Sequence, residues 1–186
     1  GQFGGLYLNH LRTAIYEHLI RADNVLDKVE QRDGSVRSMA VDFDGDGQLE
    51  HVLENGDLGV FVNPNDGGTI FEIDYKPGNF NLLNTLTRRE EPYHAGLALE
   101  SEEEAEGDDG QVRSIHDHFQ SKEKGLNALL FYDSYRRASL RDHFFTQDLD
   151  IESLYRNEAG EHSDFPLKAY TCVAEGNDLV LTADGL

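Results

Sequence analysis

The sequence predicts a mainly β fold entered through one amphipathic helix at its N-terminal end. Two observations predict it. Apolar residues recur at three- and four-residue spacing over residues 6–29, and from Ser38 onward the chain breaks into short apolar or alternating runs with Asn, Asp and Gly turn chemistry between them. A chain of 186 residues is long enough for one substantial core, since a domain near that size buries roughly 70% of the surface its unfolded form exposes.

The helix is read from "GLYLNHLRTAIYEHLIRADNVLDKV", where Leu8, Leu11, Ile15, Ala22, Leu26 and Val29 stack on one side and require a partner surface. "QRDGS" then supplies a turn. Strands follow from Ser38 to Tyr75. "ENGD" at 54–57 carries Asn-Gly, which suits a type I′ hairpin, and "NPNDGG" at 63–68 reads as a longer hairpin loop. In "TIFEIDY", alternation sends Phe71, Ile73 and Tyr75 to one face and Glu72 and Asp74 to a wet one. The run "ESEEEAEGDDG" at 100–110 cannot pack and predicts a mobile surface loop. Beyond it "LNALLFYD" and "KAYTCVAEGNDLVLTADGL" read as strands, with "EGND" as a further hairpin turn.

The last apolar run, "LVLTADGL", has nothing after it to pair with, so its edge is expected to fray or to join a second copy of the chain. Together with Gly1 in place of Met, this suggests a piece of a longer protein.

Sixteen basic against thirty-six acidic side chains leave a formal charge of −20, which repels nucleic acid and anionic lipid and attracts divalent cations. No apolar run approaches the roughly 20 residues of a membrane helix, and no secretion signal opens the chain. A soluble, cytoplasmic chain is therefore expected. The lone Cys172 cannot form an internal disulfide.

The chemistry concentrates in "DFDGDGQLE". Asp42, Asp44, Asp46, the Gln48 carbonyl and Glu50 place hard oxygen donors at alternate positions, and Gly47 permits the sharp turn, a pattern that suits calcium. Leu53 stands where an EF-hand loop needs a bidentate Glu, and strands replace the flanking helices, so the match is to a shorter strand-loop-strand calcium turn closed by Glu50. The competing reading is a solvated hairpin whose like charges, about 4 Å apart, repel by only about 1 kcal/mol per pair in water. "HDH" at 116–118 invites zinc but offers no third ligand nearby, and a hydrogen-bonding role suits it and His143 better. Tyr7, Tyr75 and Tyr93 are the aromatic residues with a claim to be sugar platforms. No nucleophile elbow, phosphate loop or dinucleotide fingerprint exists in the sequence.

Several blocks taken in order, "FGGLYLNHLRTAIYEHLI", "VDFDGDGQLEHVLENGDLGVFV", "GGTIFEIDYKPGNFNLLNTLTRREEPYH", "SIHDHFQSKEKGL" and "YDSYRRASLRDHF", resemble the C-terminal half of glycoside hydrolase family 57, the α-amylase and 4-α-glucanotransferase group. The resemblance implies a catalytic barrel upstream that carries a Glu nucleophile and an Asp acid/base, then a helical segment, then a β-sandwich similar to galactose mutarotase. Residues 1–30 correspond to the helical segment and 31–186 to the sandwich, incomplete at its C-terminus. The catalytic motifs are absent here, as is the Trp-His-Gly that usually precedes "FGG", so no catalytic residue is assigned.

A retaining mechanism needs two carboxyl groups about 5 Å apart across the scissile bond. The chain is accordingly expected to be a non-catalytic fragment that packs on the barrel of its parent chain and helps shape the cleft for α-glucan or maltooligosaccharide. Tyr7, His10 and Arg12 are the residues implied to lie near that substrate, while His10 and Arg12 could equally hold the helix to the sandwich. Two alternatives stand beside this: a stand-alone calcium-stabilised carbohydrate-binding module, and a complete metallohydrolase built on His116 and His118.

Overall fold

The computed structural model describes residues 7–92, 94 and 125–185. Two compact units form, one from Gly1–Leu86, Tyr135–Leu149 and Ala159–Leu186, the other from Thr87–Ser134 and Asp150–Glu158. The predicted acidic surface loop at 100–110, His116, His118 and Tyr93 lie outside the described residues.

The first unit opens with helix α1, Asn9–Val29. It closes in a hydrogen-bonded cap: the Gln31 N–H donates to the Lys28 carbonyl and the Arg32 N–H to the Asp27 carbonyl, at 3.2 and 3.0 Å. That pattern satisfies carbonyls the helix end leaves without partners and puts Gln31 in the left-handed region at φ 53°. Five antiparallel strands follow as a meander: β1 Arg37–Val41, β2 Glu50–Glu54, β3 Leu58–Asn63, β4 Thr69–Tyr75 and β5 Phe80–Asn81. A separate hairpin pairs β6, Thr171–Glu175, with β7, Asp178–Thr182. The described chain is thus mainly β with the N-terminal helix the sequence predicts. The terminal strands pair with each other through a turn in which Gly176 takes φ 64°.

The Asn-Gly hairpin is present but is not type I′, because neither Asn55 nor Gly56 has positive φ. The Asn55 side chain makes the turn instead, its Oδ1 accepting the Asp57 and Leu58 N–H groups at 2.8 Å each. An Asx-type bond of this kind satisfies the turn without the left-handed backbone a type I′ turn needs. The loop from β3 to β4 does use positive φ, at Gly67 and Gly68. It is clamped from below: the Gly67 N–H donates to the Lys168 carbonyl at 2.9 Å and the Tyr170 N–H to the Pro64 carbonyl at 2.8 Å, while the Arg141 guanidinium bonds both Asp66 oxygens at 3.0 and 2.9 Å and also the Pro166 carbonyl.

The wet and dry faces expected for β4 are exchanged at its end, where Asp74 is 5% exposed and Tyr75 45%. The register of β3 against β4 shifts between Phe61 and Val62, and an irregularity of this kind redirects the side chains that follow it. The Glu72 and Asp74 side is the one α1 covers, so the wet face of the prediction is a covered one. Tyr16 of α1 lies beside Asn81 of β5 and feels the charges of Glu72 and Asp74.

In the second unit "LNALLFYD" is not a strand: Leu126–Leu129 form a 3-10 turn and residues 130–133 are irregular. A short helix α2, Ile151–Arg156, is capped by Asp150, whose carboxylate accepts the Ser153 N–H at 2.9 Å. Arg88 holds the unit together. Its Nε donates to Asp133 at 2.9 Å, and its guanidinium lies 4.6 Å from the Phe131 ring centroid and 5.4 Å from that of Tyr155.

Candidate functional site

The acidic turn between β1 and β2 folds around its own carboxylates. Asp42 accepts the Gly45 N–H at 2.9 Å on Oδ1 and the Gly47 N–H at 3.1 Å on Oδ2. Asp44 accepts the Asp46 N–H at 3.3 Å, and Asp46 accepts the Gln48 N–H at 2.7 Å and the Gln48 side-chain amide at 3.4 Å. Gly45 and Gly47, at φ 78° and 88°, turn the chain back at each step, a conformation that other residues adopt at a cost.

Glu50 differs from the rest: it is 1% exposed, while Asp42, Asp44 and Asp46 face solvent. Its Oε2 accepts the Phe43 N–H at 2.8 Å, and its Oε1 has no hydrogen-bond partner. One oxygen from each of Asp42, Asp44 and Glu50 lies within 4.8 Å of the other two. Phe43, itself 48% exposed, holds the turn to the sheet, its ring 5.0 Å from Phe61 and 5.7 Å from Phe71. The structure therefore brings together three of the five predicted ligands, while Asp46 is engaged with the Gln48 amides.

At the start of α1, Tyr7 is 49% exposed and His10 also faces solvent. Arg12 is engaged with the chain that follows β5: its Nε donates to Asn84 Oδ1 at 2.8 Å, and Asn84 in turn donates to Asn9 and Thr13 at 3.1 Å each. Of the three residues expected near substrate, Arg12 thus makes the alternative contact the sequence left open, tying the helix to the chain after β5. The apolar stripe of α1 lies outward. Ile15 is 55% exposed, Leu19 58%, Leu26 52% and Val29 71%, whereas the side toward the sheet carries Tyr16, Ile20, Asn24 and Asp27.

Two charged clusters on that inner side escape pattern reading. Lys76 is 4% exposed and its Nζ donates to Asp27 of α1 at 2.9 Å and to Glu54 of β2 at 2.8 Å. Burial pulls its pKa down, and the bonds to Glu54 and Asp27 outweigh that and leave it raised. Burial likewise raises Asp27, but Lys76 and Arg32 bring its net value down. A cleft of about 680 Å³ opens beside this cluster. Arg21, Arg32, Arg37 and Lys76 on its wall are each already paired with a carboxylate.

Nearby, Glu72 and Asp74 act on each other as alternate residues of β4; burial, then the neighbouring carboxylate, pushes Glu72 up to about 8, and burial pushes Asp74 up to about 6. The Lys76 cluster has no motif, because it is assembled from elements far apart in sequence; Glu72 and Asp74 are close in the chain, and what the sequence does not display is their covering. His143 bonds Glu161 at 2.8 Å, the hydrogen-bonding role its sequence context suggests.

Residues 42–186 match the family described as alpha-amylase/4-alpha-glucanotransferase, C-terminal, and residues 1–26 match the middle domain of the same group. An enzyme named alpha-amylase 1 from Dictyoglomus thermophilum is 43% identical over 86% of this chain and 22% of its own length. An alpha-amylase from Pyrococcus abyssi is 35% identical and a 4-alpha-glucanotransferase from Thermococcus kodakarensis 33% identical, each over 100% of this chain and 27% of its own. The crystal structure of 4-alpha-glucanotransferase from Thermococcus litoralis superposes with a TM-score of 0.74 at 27% identity, covering 98% of this chain and 24% of that one. The chain thus spans about a quarter of the length of these relatives. Among the described residues, no helix is long and apolar enough to cross a membrane.

Proposed function

The chain belongs to the α-amylase/4-α-glucanotransferase group of glycoside hydrolase family 57, as its C-terminal region, and on that premise we propose that it is a non-catalytic part of an α-glucan-acting enzyme, docked on the catalytic barrel through the outer face of α1. The observation that carries this is the exposed stripe Ile15, Leu19, Leu26 and Val29. A helix with its apolar side toward solvent has a second packing surface to satisfy, and residues 1–26, which include most of α1, match the middle domain of the family. The inner side is tied to the sheet by polar bonds, so the helix reads as an adaptor between two bodies.

On this reading the exposed Tyr7 and His10 at its start reach toward a glucan held by the barrel, and the bonds of Asn84 to Arg12, Asn9 and Thr13 support the first turns of the helix. A β-sandwich of the galactose mutarotase type is the architecture we assign to the complete domain.

The test places Ile15→Asp with Leu26→Asp in the 186-residue chain and in the full-length parent enzyme. The chain alone should melt within about 2 °C of its wild type, since exposed substitutions cost little. The parent should lose activity and melt earlier; a parent that equals its wild type in both refutes the docking. In the same parent His10→Ala should raise the KM for maltooligosaccharide several-fold with little change in kcat. Tight binding of maltoheptaose by the chain alone in a titration would instead favour an autonomous carbohydrate-binding module.

A further inference from the structure

We infer that the β1–β2 turn is a calcium site whose organising ligand is the buried Glu50. Exposed acidic turns are common without any ion. What sets this one apart is a carboxylate that is 1% exposed, bonded to the Phe43 N–H on one oxygen and without a partner on the other. Buried polar atoms in native proteins are nearly always satisfied, and an ionised oxygen left bare inside costs several kcal/mol. A cation is the partner that fits, because the nearest ligand groups brought to Glu50 are two further carboxylates. Asp42 and Asp44 each hold an oxygen within 4.8 Å of Glu50 and of one another. Two ligands on opposite sides of one calcium ion stand about 5 Å apart, twice the 2.3–2.6 Å ligand distance, so one ion accommodates all three oxygens.

The donor set selects among metals. It is all oxygen, which excludes the soft thiolate and imidazole preferences of zinc and copper. Two of its members sit on a loop bent at Gly45 and Gly47 and the third opens β2, and a set of carboxylates drawn from loop and strand suits the flexible coordination of calcium better than the strict octahedron of magnesium. Asp46 stays on the Gln48 amides, and water fills the coordination positions that the three carboxylates leave. Because Phe43 lies between two of the ligands and packs on Phe61 and Phe71, ion binding is coupled to the packing of the sheet rather than confined to the surface.

The experiment titrates calcium chloride into chelator-treated chain, with magnesium chloride at equal concentration as the control. One ion per chain should bind, and at calcium about a hundredfold above Kd the melting midpoint should rise by roughly 5 °C, with a much smaller shift for magnesium. Asp44→Asn, an exposed change that leaves folding intact, should weaken calcium at least tenfold. Glu50→Gln should abolish the shift and lower the affinity further. Absence of binding, an equal response to magnesium, or calcium affinity unchanged in Asp44→Asn would overturn the assignment, the last by placing the ion elsewhere on the acidic surface.

Discussion

Replacing Lys76 by Met keeps the length of the side chain and removes only its charge, which isolates what the ammonium does between α1 and β2. In the folded chain that ammonium is 4% exposed and bonds Asp27 Oδ2 at 2.9 Å and Glu54 Oε2 at 2.8 Å. Taking away one member of a buried ion pair leaves its partners charged and desolvated, and typically costs about 3–5 kcal/mol. Arg32 remains on Asp27 and Arg37 on Glu54 at 2.7 Å, and these guanidiniums are a quarter to a third exposed. They compensate part of the loss, so the low end applies: about 3 kcal/mol, or a midpoint lower by roughly 6–12 °C for a chain of this size.

Urea unfolding followed by circular dichroism measures it, and a cycle with Asp27→Asn should show strong coupling between the two changes. The sign with pH follows from the same contacts. Asp27 is lowered and Lys76 raised by their pairing, so the contribution holds across neutral pH. It is lost as pH falls through the folded value of Asp27 or rises through that of Lys76. A loss under about 1 kcal/mol, or additive single changes, would refute the view that this lysine pins the helix.

Two further outcomes concern the covered side of the sheet and the clamped loop. With Glu72 raised to about 8 and Asp74 to about 6, the unfolded chain ionises these acids first. Stability present at about pH 4 should therefore fall as pH rises, by on the order of 2 kcal/mol by pH 8 after allowing for solvent at a partly buried, interacting pair. Glu72→Gln should flatten that slope in denaturation curves, and an unchanged slope would mean the pair does not titrate as a unit. Gly67→Ala should destabilise by about 2 kcal/mol or more in the same assay. Gly67 takes φ 69°, and a Cβ there would stand 2.5 Å from the Pro166 carbonyl oxygen and 2.7 Å from Arg141.

Local signals in the sequence located α1, the hairpins and the acidic turn, because each depends on residues close together in the chain: a 3.6-residue period, Asn and Gly between apolar runs, aspartates at every other position. The same signals erred where a neighbour in space decided. Alternation in "TIFEIDY" assigned Asp74 to solvent, yet the shift at Phe61/Val62 and the arrival of α1 enclose it. Asn-Gly promised left-handed backbone, but the Asn55 side chain offered its own hydrogen bonds. "LNALLFYD" has strand-like composition and no strand to pair with among the described residues.

Neighbours along the chain were enough to locate α1, the hairpin strands and the acidic turn, to carry the family, and to supply the oxygen donors around residues 42–50. The assembled fold alone shows that Glu50 is buried with a bare oxygen while Asp42 and Asp44 stay in solvent, that Lys76 joins helix to sheet, and that the apolar stripe of α1 faces outward. The reason is that burial and ion pairing belong to surfaces brought together across tens of residues. Backbone propensity and side-chain period, which a sequence displays directly, are properties of a few neighbours.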